Sequence, residues 1–347
     1  INGYQYTDIE DLYFFIEKTA SKWGKSFDAL AVQNQGRLDE YKNLLQIFDK
    51  KGFSFGEKFN VNHHLSHAAL AFYTSPFSNS LILSYDGTGN DGYTIFFDAN
   101  SEKGISYLEN LDFKFGQSYN NLGYIVGIKP EVCGTSSGKT MGLTAYGKVI
   151  ENWLPYAAKY VKEYKKNPLK SIEGLNNYGK GHRINSIGLD EIPDLQEFVS
   201  ETEAIEQTGI KNKLLSLLKD NSIPKELRLN GLDTQVVQDL IKTVQSAWTS
   251  EVLSLIAKHK PNYENLCLVG GCALNGITNY SIQETNWFKG IHLVPNPSDC
   301  GLSVGAGLFV YYNLTKKKFE GYGQYFSPYL GEEIFDKEDL PKLKEEY

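Results

Sequence analysis

The sequence predicts an α/β fold with mixed sheets, and three stretches indicate it. Residues 80–98 hold two β-rich runs on either side of DGTGNDG, a cluster of turn residues that is typical of a β-hairpin. Residues 265–271, NLCLVGG, form a short apolar run that ends in two glycines, as a buried strand entering a helix does. Residues 234–259 place apolar side chains along one helical stripe. Strands that alternate with helices favour an α/β fold, and the hairpin makes the sheets mixed.

Weaker patterns predict the other elements. The stretch 118–127 fits a helix and a strand equally well, and the polar segment 151–232 is predicted to be helical with long loops. The remaining predictions, in chain order, are a helix at 8–23, a strand at 27–33, a helix through 63–72, a hairpin-like stretch at 105–114, a helix from 273, a strand at 291–296 and a helix from 299.

Length and composition narrow the class of protein. With 347 residues, 41% of them hydrophobic, the chain can bury a large core in one large or two moderate domains. The formal charge of −7 argues against a dedicated nucleic-acid-binding protein, and the basic stretch 159–170 is interpreted as a solvated helix face. No apolar run reaches membrane-spanning length. Four scattered cysteines without a C-x-x-C pair indicate reduced thiols and a cytoplasmic location.

Three histidines lie within five residues of the stretch VNHHLSHAALAF. His63 and His67 are one helical turn apart, so their side chains share a face and can hold one divalent ion. His64 points elsewhere, and it occupies the position where the zinc-protease pattern needs Glu, so that pattern is excluded. A pair of this kind also occurs in packing and capping roles. A metal site needs further ligands from other parts of the chain.

Two aspartates at strand ends are candidates for those ligands. Asp86 follows a buried-looking strand and opens the glycine-rich tip DGTG, where exposed backbone amides can approach a phosphate. An ordinary hairpin turn is the simpler interpretation of this stretch taken alone. Asp299 lies between a strand and a helix, where a helix N-cap is an equally good explanation.

Two glycine-containing segments are candidate nucleotide loops. The turn LVGGCALN places Gly270 and Gly271 between a strand and a helix, although close strand–helix packing explains them as well and the dinucleotide fingerprint is absent. The segment GTSSGKTMG, with Lys139, is one residue shorter than the P-loop pattern. Because loop length decides where the amides point, we do not expect a true P-loop here.

Taken together and in order, five of these motifs resemble those of the O-carbamoyltransferases, the nodulation-factor and aminoglycoside-antibiotic type. The motifs are VNHHLSHAALAFYTSPF, LSYDGTG, GKTMGLTAYGK, LVGGCALN and VPNPSDCGLSVGAG. The catalytic domain of that family is similar to the enzyme that installs threonylcarbamoyl on tRNA. The resemblance therefore implies an actin-like, sugar-kinase-like ATPase fold with two lobes around a nucleotide cleft. The ending GKTMGLTAYG favours the carbamoyltransferase branch over the tRNA branch.

The resemblance also assigns roles to particular residues. It implies a metal bound by His63, His67, Asp86 and Asp299, with the first three as catalytic residues. Iron as Fe²⁺ is the family's usual metal, and Mn²⁺ or Zn²⁺ suits the same ligands. The residues expected to bind nucleotide are Gly87, Thr88, Gly89, Lys139 and Gly142 near the phosphate, and Gly270, Gly271 and Asn275 near the adenosine.

The reaction implied by the resemblance has two stages. Carbamoyl phosphate and ATP form carbamoyl-adenylate in a C-terminal activation domain, and the carbamoyl group then passes to a hydroxyl of a small-molecule acceptor. We expect the present sequence, which begins with Ile, to be either an excerpt of a longer protein or a split, degenerate version, with the activation domain in the parent chain or in a partner. In either case we expect it to be unable to form the adenylate alone. Alternatives are an ATPase or sugar kinase of the same fold, a non-catalytic nucleotide-binding fragment and, less favoured, threonylcarbamoyl transfer to tRNA. Assembly as a homodimer stays open.

The expected domain organisation follows the same resemblance. Residues 1–78 are assigned to a partial first lobe that includes the histidine helix and lacks the family's first β-hairpin. Residues 79–325 are assigned to the second lobe, with nucleotide and metal loops and a helical insertion at about 151–232. Residues 326–347 are expected to start a linker towards the C-terminal domain.

Overall fold

A five-stranded mixed sheet is the centre of the fold. Strands β3 (Asn79–Gly89), β4 (Gly92–Asn100) and β5 (Gly104–Leu111) form an antiparallel meander. Strand β7 (Asn265–Val269) pairs with β3 in parallel, and β8 (Gly290–Leu293) pairs with β7 in parallel, so the strand order is β5-β4-β3-β7-β8. The predicted α/β class with mixed sheets is confirmed.

The structure is a computed structural model. It describes residues 16–18, 20–33, 38–111, 113–126, 128, 136–163, 182–183 and 235–319.

Helices cover both faces of the five-stranded sheet. One face carries α3 (Phe115–Ile125), α6 (Gln235–His259) and α7 (Gly276–Glu284). The other face carries α2 (His63–Thr74) and α8 (Leu302–Thr315). All twelve residues of α2 are buried, because the helix lies between the sheet and α8. The residue range 118–127, which the sequence left ambiguous, is mostly helical because it packs its apolar side on the sheet.

A second, smaller sheet lies beside this core. Strands β1 (Ser26–Val32) and β2 (Ser54–Asn60) pair in parallel, joined by helix α1 (Leu38–Lys50), and the two-residue strand β6 (His182–Arg183) pairs with β2 in the antiparallel sense. The sequence pattern predicts β1 but neither α1 nor β2. Gly56 and charged residues break the apolar run of β2, so its local pattern is weak.

The other predicted elements have mixed outcomes. The hairpin at 80–98 is confirmed, and the stretch 105–114 contributes strand β5, which pairs with β4. Of the helix predicted at 8–23, residues 16–18 and 20–23 are helical and the rest lies outside the described residues. Of the segment 151–232, the described part includes helix α5 (Leu154–Glu163), and most of the remainder lies outside.

Helix α2 packs on the sheet of residues 79–293 and on α8. A division into lobes after residue 78 therefore separates α2 from much of its packing surface, and that division stays a prediction. Among the residues that the structure describes, no helix has the length and hydrophobicity needed to cross a bilayer.

Glycine residues allow helices α2 and α8 to pack closely against each other. A Cβ atom at Gly305 would lie 1.9 Å from the backbone oxygen of Ser66, and one at Gly301 would lie 2.4 Å from Leu70 Cδ2. Gly307 of the same helix is exposed and faces open space. The separation of the two helices thus depends on glycine at the inner positions.

We predict that Gly305→Ala destabilises the fold by about 1–3 kcal/mol, because the helices must move apart to admit the methyl group. The matched control Gly307→Ala is expected to be neutral or to stabilise by about 0.5–1 kcal/mol, since alanine is the better helix former. Urea unfolding of both variants measures this difference. Equal stabilities would contradict the close packing.

Candidate metal centre

Helix α2 presents two imidazoles to one point. It begins at His63, and His67 follows one turn later, so the two rings share a face as the spacing predicts. Their Nε2 atoms lie 3.2 Å apart, and both side chains are fully buried. Two ring nitrogens brought this close in the interior need either a shared proton or a shared cation.

Asp86 meets the histidine pair from the end of β3. Its Oδ2 lies 3.1 Å from Nε2 of His63 and 3.1 Å from Nε2 of His67. Its Oδ1 accepts hydrogen bonds from the backbone amides of Gly87, at 2.7 Å, and Gly271, at 3.1 Å. The backbone therefore holds one oxygen while the other faces the imidazoles.

Asp299 completes the group from the loop between β8 and α8. Its Oδ1 lies 3.5 Å from Nε2 of His63 and 3.4 Å from Nε2 of His67. This oxygen is buried and makes no hydrogen bond to the part of the chain that the structure describes. The side chain as a whole is 39% exposed, whereas that of Asp86 is 13% exposed. The centre therefore opens to solvent on the Asp299 side.

The four side chains fit a divalent cation. One ligand atom from each of His63, His67, Asp86 and Asp299 lies within 4.8 Å of the other three. Ligands about 2.1 Å from an ion in tetrahedral or octahedral geometry lie about 3.0–3.4 Å from one another. The nitrogen–nitrogen and nitrogen–oxygen separations of 3.1–3.5 Å lie within or close to this range. The unpartnered oxygen of Asp299 also suits a metal ligand.

The protonation states follow from burial and neighbouring charge. Burial would raise the pKa of Asp86, but hydrogen bonds from His63 and His67 outweigh it and hold that pKa well below its usual range. Burial would lower the pKa of His67, but the carboxylates of Asp299 and Asp86 outweigh it and raise the pKa to about 9. Asp86 is thus ionised, and a metal ion would displace the proton of His67.

His64 has a structural role, as its position between the pair suggested. Its Nδ1 lies 2.8 Å from Ser84 Oγ and its Nε2 lies 3.0 Å from the backbone oxygen of Gly92. The ring therefore donates from Nε2 to the carbonyl and accepts at Nδ1 from the hydroxyl. Burial, together with His63 and His67, holds the pKa of His64 well below its usual range, so the ring is neutral.

Glycines from the turn after β7 and from the start of α3 pack around the Asp86 region. Gly270 has φ +94°, and a Cβ there would lie 2.1 Å from the Tyr85 oxygen. A Cβ at Gly271 would lie 2.7 Å from Asp86 Oδ1, and a Cβ at Gly116, at the start of α3, would lie 2.7 Å from Gly87 Cα. The turn after β7 is thus pressed against the end of β3, and only glycine permits this approach.

Three other residues that were expected to bind nucleotide, Asn275, Lys139 and Gly142, lie at two further helices. Asn275 is buried and caps α7, where its Oδ1 accepts from the amide of Thr278 at 3.0 Å and its Nδ2 donates to Gln245 at 3.0 Å. Lys139 and Gly142 lie exposed on α4 (Ser137–Leu143), which packs on α3 and α6. The side chain of Thr88 lies outside the described residues.

Sequence reasoning missed the residues that cap the histidine helix. Oδ1 of Asn90 accepts from the amide of His63 at 2.9 Å, and both carboxylate oxygens of Asp91 lie 3.0–3.1 Å from the amide of His64. Burial raises the pKa of Asp91, and His63 and the helix amides offset part of that rise. The letters N-D in the hairpin tip predict a turn, and nothing local predicts a cap on a distant helix.

Comparison with known proteins identifies the family. A family model described as "Carbamoyltransferase N-terminus" matches residues 5–308, which is most of the chain. The chain belongs to the carbamoyltransferase family. The resemblance drawn from the five sequence motifs is thereby confirmed.

Relatives of this carbamoyltransferase chain are longer proteins. Protein sll1178 of Synechocystis sp. is 27% identical over 306 residues, covering 84% of this chain and 44% of the relative. Nodulation protein NolNO of Sinorhizobium fredii is 26% identical over 266 residues, with 72% and 31% covered, and nodulation protein U of the same species is 23% identical over 283 residues, with 76% and 44% covered. The chain thus spans less than half of each relative.

Among solved structures, the chain is similar to HypF of T. kodakarensis. The TM-score is 0.41 at 15% sequence identity, and the match covers 92% of this chain and 44% of that one.

We predict that His67→Ala and Asp299→Ala each lower bound metal to below about a tenth of the wild-type content, because an incomplete ligand set binds weakly. The measurement is elemental analysis after dialysis against Fe²⁺ or Zn²⁺. His259→Ala is the matched control, because His259 pairs with Glu109 at 2.8 Å, away from the four ligands, and should retain full metal content. Stoichiometric metal in both ligand variants would contradict the assignment.

Proposed function

We propose that His63, His67, Asp86 and Asp299 bind one divalent metal ion. The observation that supports this is the convergence of their four ligand atoms within 4.8 Å. Two imidazoles and two carboxylates suit Fe²⁺, Mn²⁺ and Zn²⁺. Fe²⁺ is our first choice, because the family that the motifs resemble is usually taken to use iron.

We further propose that this centre serves carbamoyl transfer from carbamoyl-adenylate to a hydroxyl of a small-molecule acceptor. The acceptor oxygen forms a bond to the carbamoyl carbon and its hydroxyl proton is released to solvent, while the bond from that carbon to the phosphate oxygen breaks and AMP leaves. A bound divalent ion would supply Lewis-acid polarisation of the carbamoyl group. Membership in the carbamoyltransferase family supports the class of reaction.

The chain's own residues contribute to the site in two ways, by orienting the Asp86 carboxylate and by leaving room for the phosphate. Asp86 is held by the amides of Gly87 and Gly271, so it keeps one oxygen directed at the histidines without a change of conformation. The phosphate of an adenylate is placed beside Gly87, where a Cβ would meet nothing within 4 Å and glycine leaves room for a close approach. We place the carbamoyl group on the exposed side of the centre, next to Asp299.

The remaining steps are proposed for the whole protein. Formation of carbamoyl-adenylate from carbamoyl phosphate and ATP is assigned to a C-terminal activation domain, and the greater length of the relatives supports this. A cytoplasmic location stays a prediction from the cysteine pattern.

An ATPase or sugar kinase of the same fold would use Asp86 as a general base. A base needs an oxygen within hydrogen-bond reach of the acceptor hydroxyl. Oδ1 of Asp86 accepts two backbone amides, and Oδ2 faces both histidines at 3.1 Å. Both oxygens are therefore engaged, which favours a ligand role for Asp86.

We predict that the metal-loaded chain binds a non-hydrolysable carbamoyl-adenylate analogue about tenfold more tightly than AMP, a difference of about 1.4 kcal/mol that the carbamoyl group contributes. Calorimetric titration of loaded and chelated chain measures it, and chelation should remove the preference. A kinase would instead favour ATP and release ADP from ATP alone. Equal binding of the analogue and AMP, or steady release of ADP, would overturn the proposal.

We predict that Gly271→Ala weakens both metal and analogue binding by about tenfold or more, because the methyl group displaces the Asp86 carboxylate. Gly276→Ala is the matched control, since a Cβ there meets nothing within 4 Å. Calorimetry on both variants measures metal binding and analogue binding separately. If Gly271→Ala keeps wild-type affinity for both ligands, the glycine turn does not support the site.

A further inference from the structure

The two histidines of the centre lack the support that metal ligands usually have. A metal-bound imidazole generally donates its second ring N–H to a carboxylate or carbonyl, which fixes the orientation of the ring. The Nδ1 atoms of His63 and His67 are buried and have no hydrogen-bond partner among the described residues. Their orientation must therefore come from the backbone of α2 and from the surfaces around the rings.

The tip of the β3–β4 hairpin fixes the start of the α2 backbone and also forms a surface against the His63 ring. Asn90 and Asp91 accept the first amides of α2, as described above, while Asn62 at the N-cap position makes no side-chain capping bond of its own. The Asn90 amide also donates to Asn62 Oδ1 at 3.2 Å. A Cβ at Gly89 would lie 2.9 Å from the His63 ring, so the hairpin backbone forms a wall against it.

The hairpin tip is itself held in place. The side chain of Asn110, on β5, donates to the backbone oxygen of Asp91 at 3.2 Å. Because the same hairpin carries Asp86, the cap joins the start of the histidine helix to the strand that provides a carboxylate ligand. The hairpin, together with its cap on α2, thus sets the separation between the imidazoles and Asp86.

The negative charge of Asp91 is a second way in which this residue affects the metal centre. The N-terminus of a helix carries a partial positive charge, which opposes a cation bound beside the first turn. His63 is the first residue of α2, so the centre lies close to that charge. A carboxylate on the terminal amides offsets it, whereas a neutral cap does not.

We propose that Asn90 and Asp91 are positioning residues of the metal centre, which cap α2 from the hairpin tip and replace the missing ring hydrogen bonds, with Asp91 also offsetting the helix charge. The inference rests on the metal centre proposed above. It assigns to the hairpin tip a role in metal affinity beyond a turn.

The test compares Asp91→Asn with Asp91→Ala in the full chain. Asparagine keeps one side-chain oxygen that can accept the amide of His64, so a purely structural cap predicts metal affinity near that of the wild type for Asp91→Asn. We expect instead that Asp91→Asn keeps the melting temperature of the chelated chain near wild type but weakens Mn²⁺ and Zn²⁺ binding about tenfold, measured by calorimetry. Asp91→Ala should lower both quantities. Asn90→Ser provides a second, milder perturbation of the cap and should weaken metal binding by a smaller factor.

Asp239→Asn is the matched control. Asp239 is a buried aspartate on α6 that also accepts a backbone amide, that of Lys148 at 2.8 Å, so it controls for general destabilisation and should leave metal affinity unchanged. Wild-type metal affinity in Asp91→Asn and Asn90→Ser would overturn the positioning role while the metal centre stands. A wild-type chain that takes up neither ion would overturn the metal centre itself and this inference with it.

Discussion

The carboxylate of Asp86 joins the parts on which the site depends. One oxygen accepts the amides of Gly87 and Gly271, and the other meets the imidazoles of His63 and His67. Three separate elements, the end of β3, the turn after β7 and helix α2, are thereby tied to a single side chain. Because only 13% of this side chain is exposed, each of these contacts is made in a medium that screens charge more weakly than water does.

The fold buries ionisable side chains in its interior. Helix α2 is buried along its whole length between the sheet and α8, yet it carries three histidines. Burial of a polar ring is costly unless its nitrogens find partners. His64 satisfies this need with Ser84 and Gly92, while the other two rings turn towards carboxylates. Strongly shifted pKa values in such a cluster are typical of functional sites.

The centre is asymmetric in a way that suits catalysis. The histidines are buried and Asp86 is largely buried and anchored, whereas Asp299 lies at the solvent side, where its inner oxygen has no hydrogen bond to the described residues. An anchored inner half would keep the geometry of the proposed ligands, and an accessible outer half would leave room for a substrate. Close glycine contacts between α2 and α8 bring the loop of Asp299 to the histidines.

The sequence by itself determined the local features: the helical spacing of His63 and His67, the hairpin that ends at Asp86 and the glycine turn after β7. These leave a periodic or turn-rich pattern in neighbouring residues. The proposed set of four ligands came from the ordered motifs of a family, since no local pattern links His63 to Asp299. Only the tertiary structure decided that Gly271 supports Asp86, that Asn275 caps a helix and that Asp91 caps α2. Such contacts join residues distant in the chain, and a side chain's partner across that distance depends on packing that no short stretch encodes.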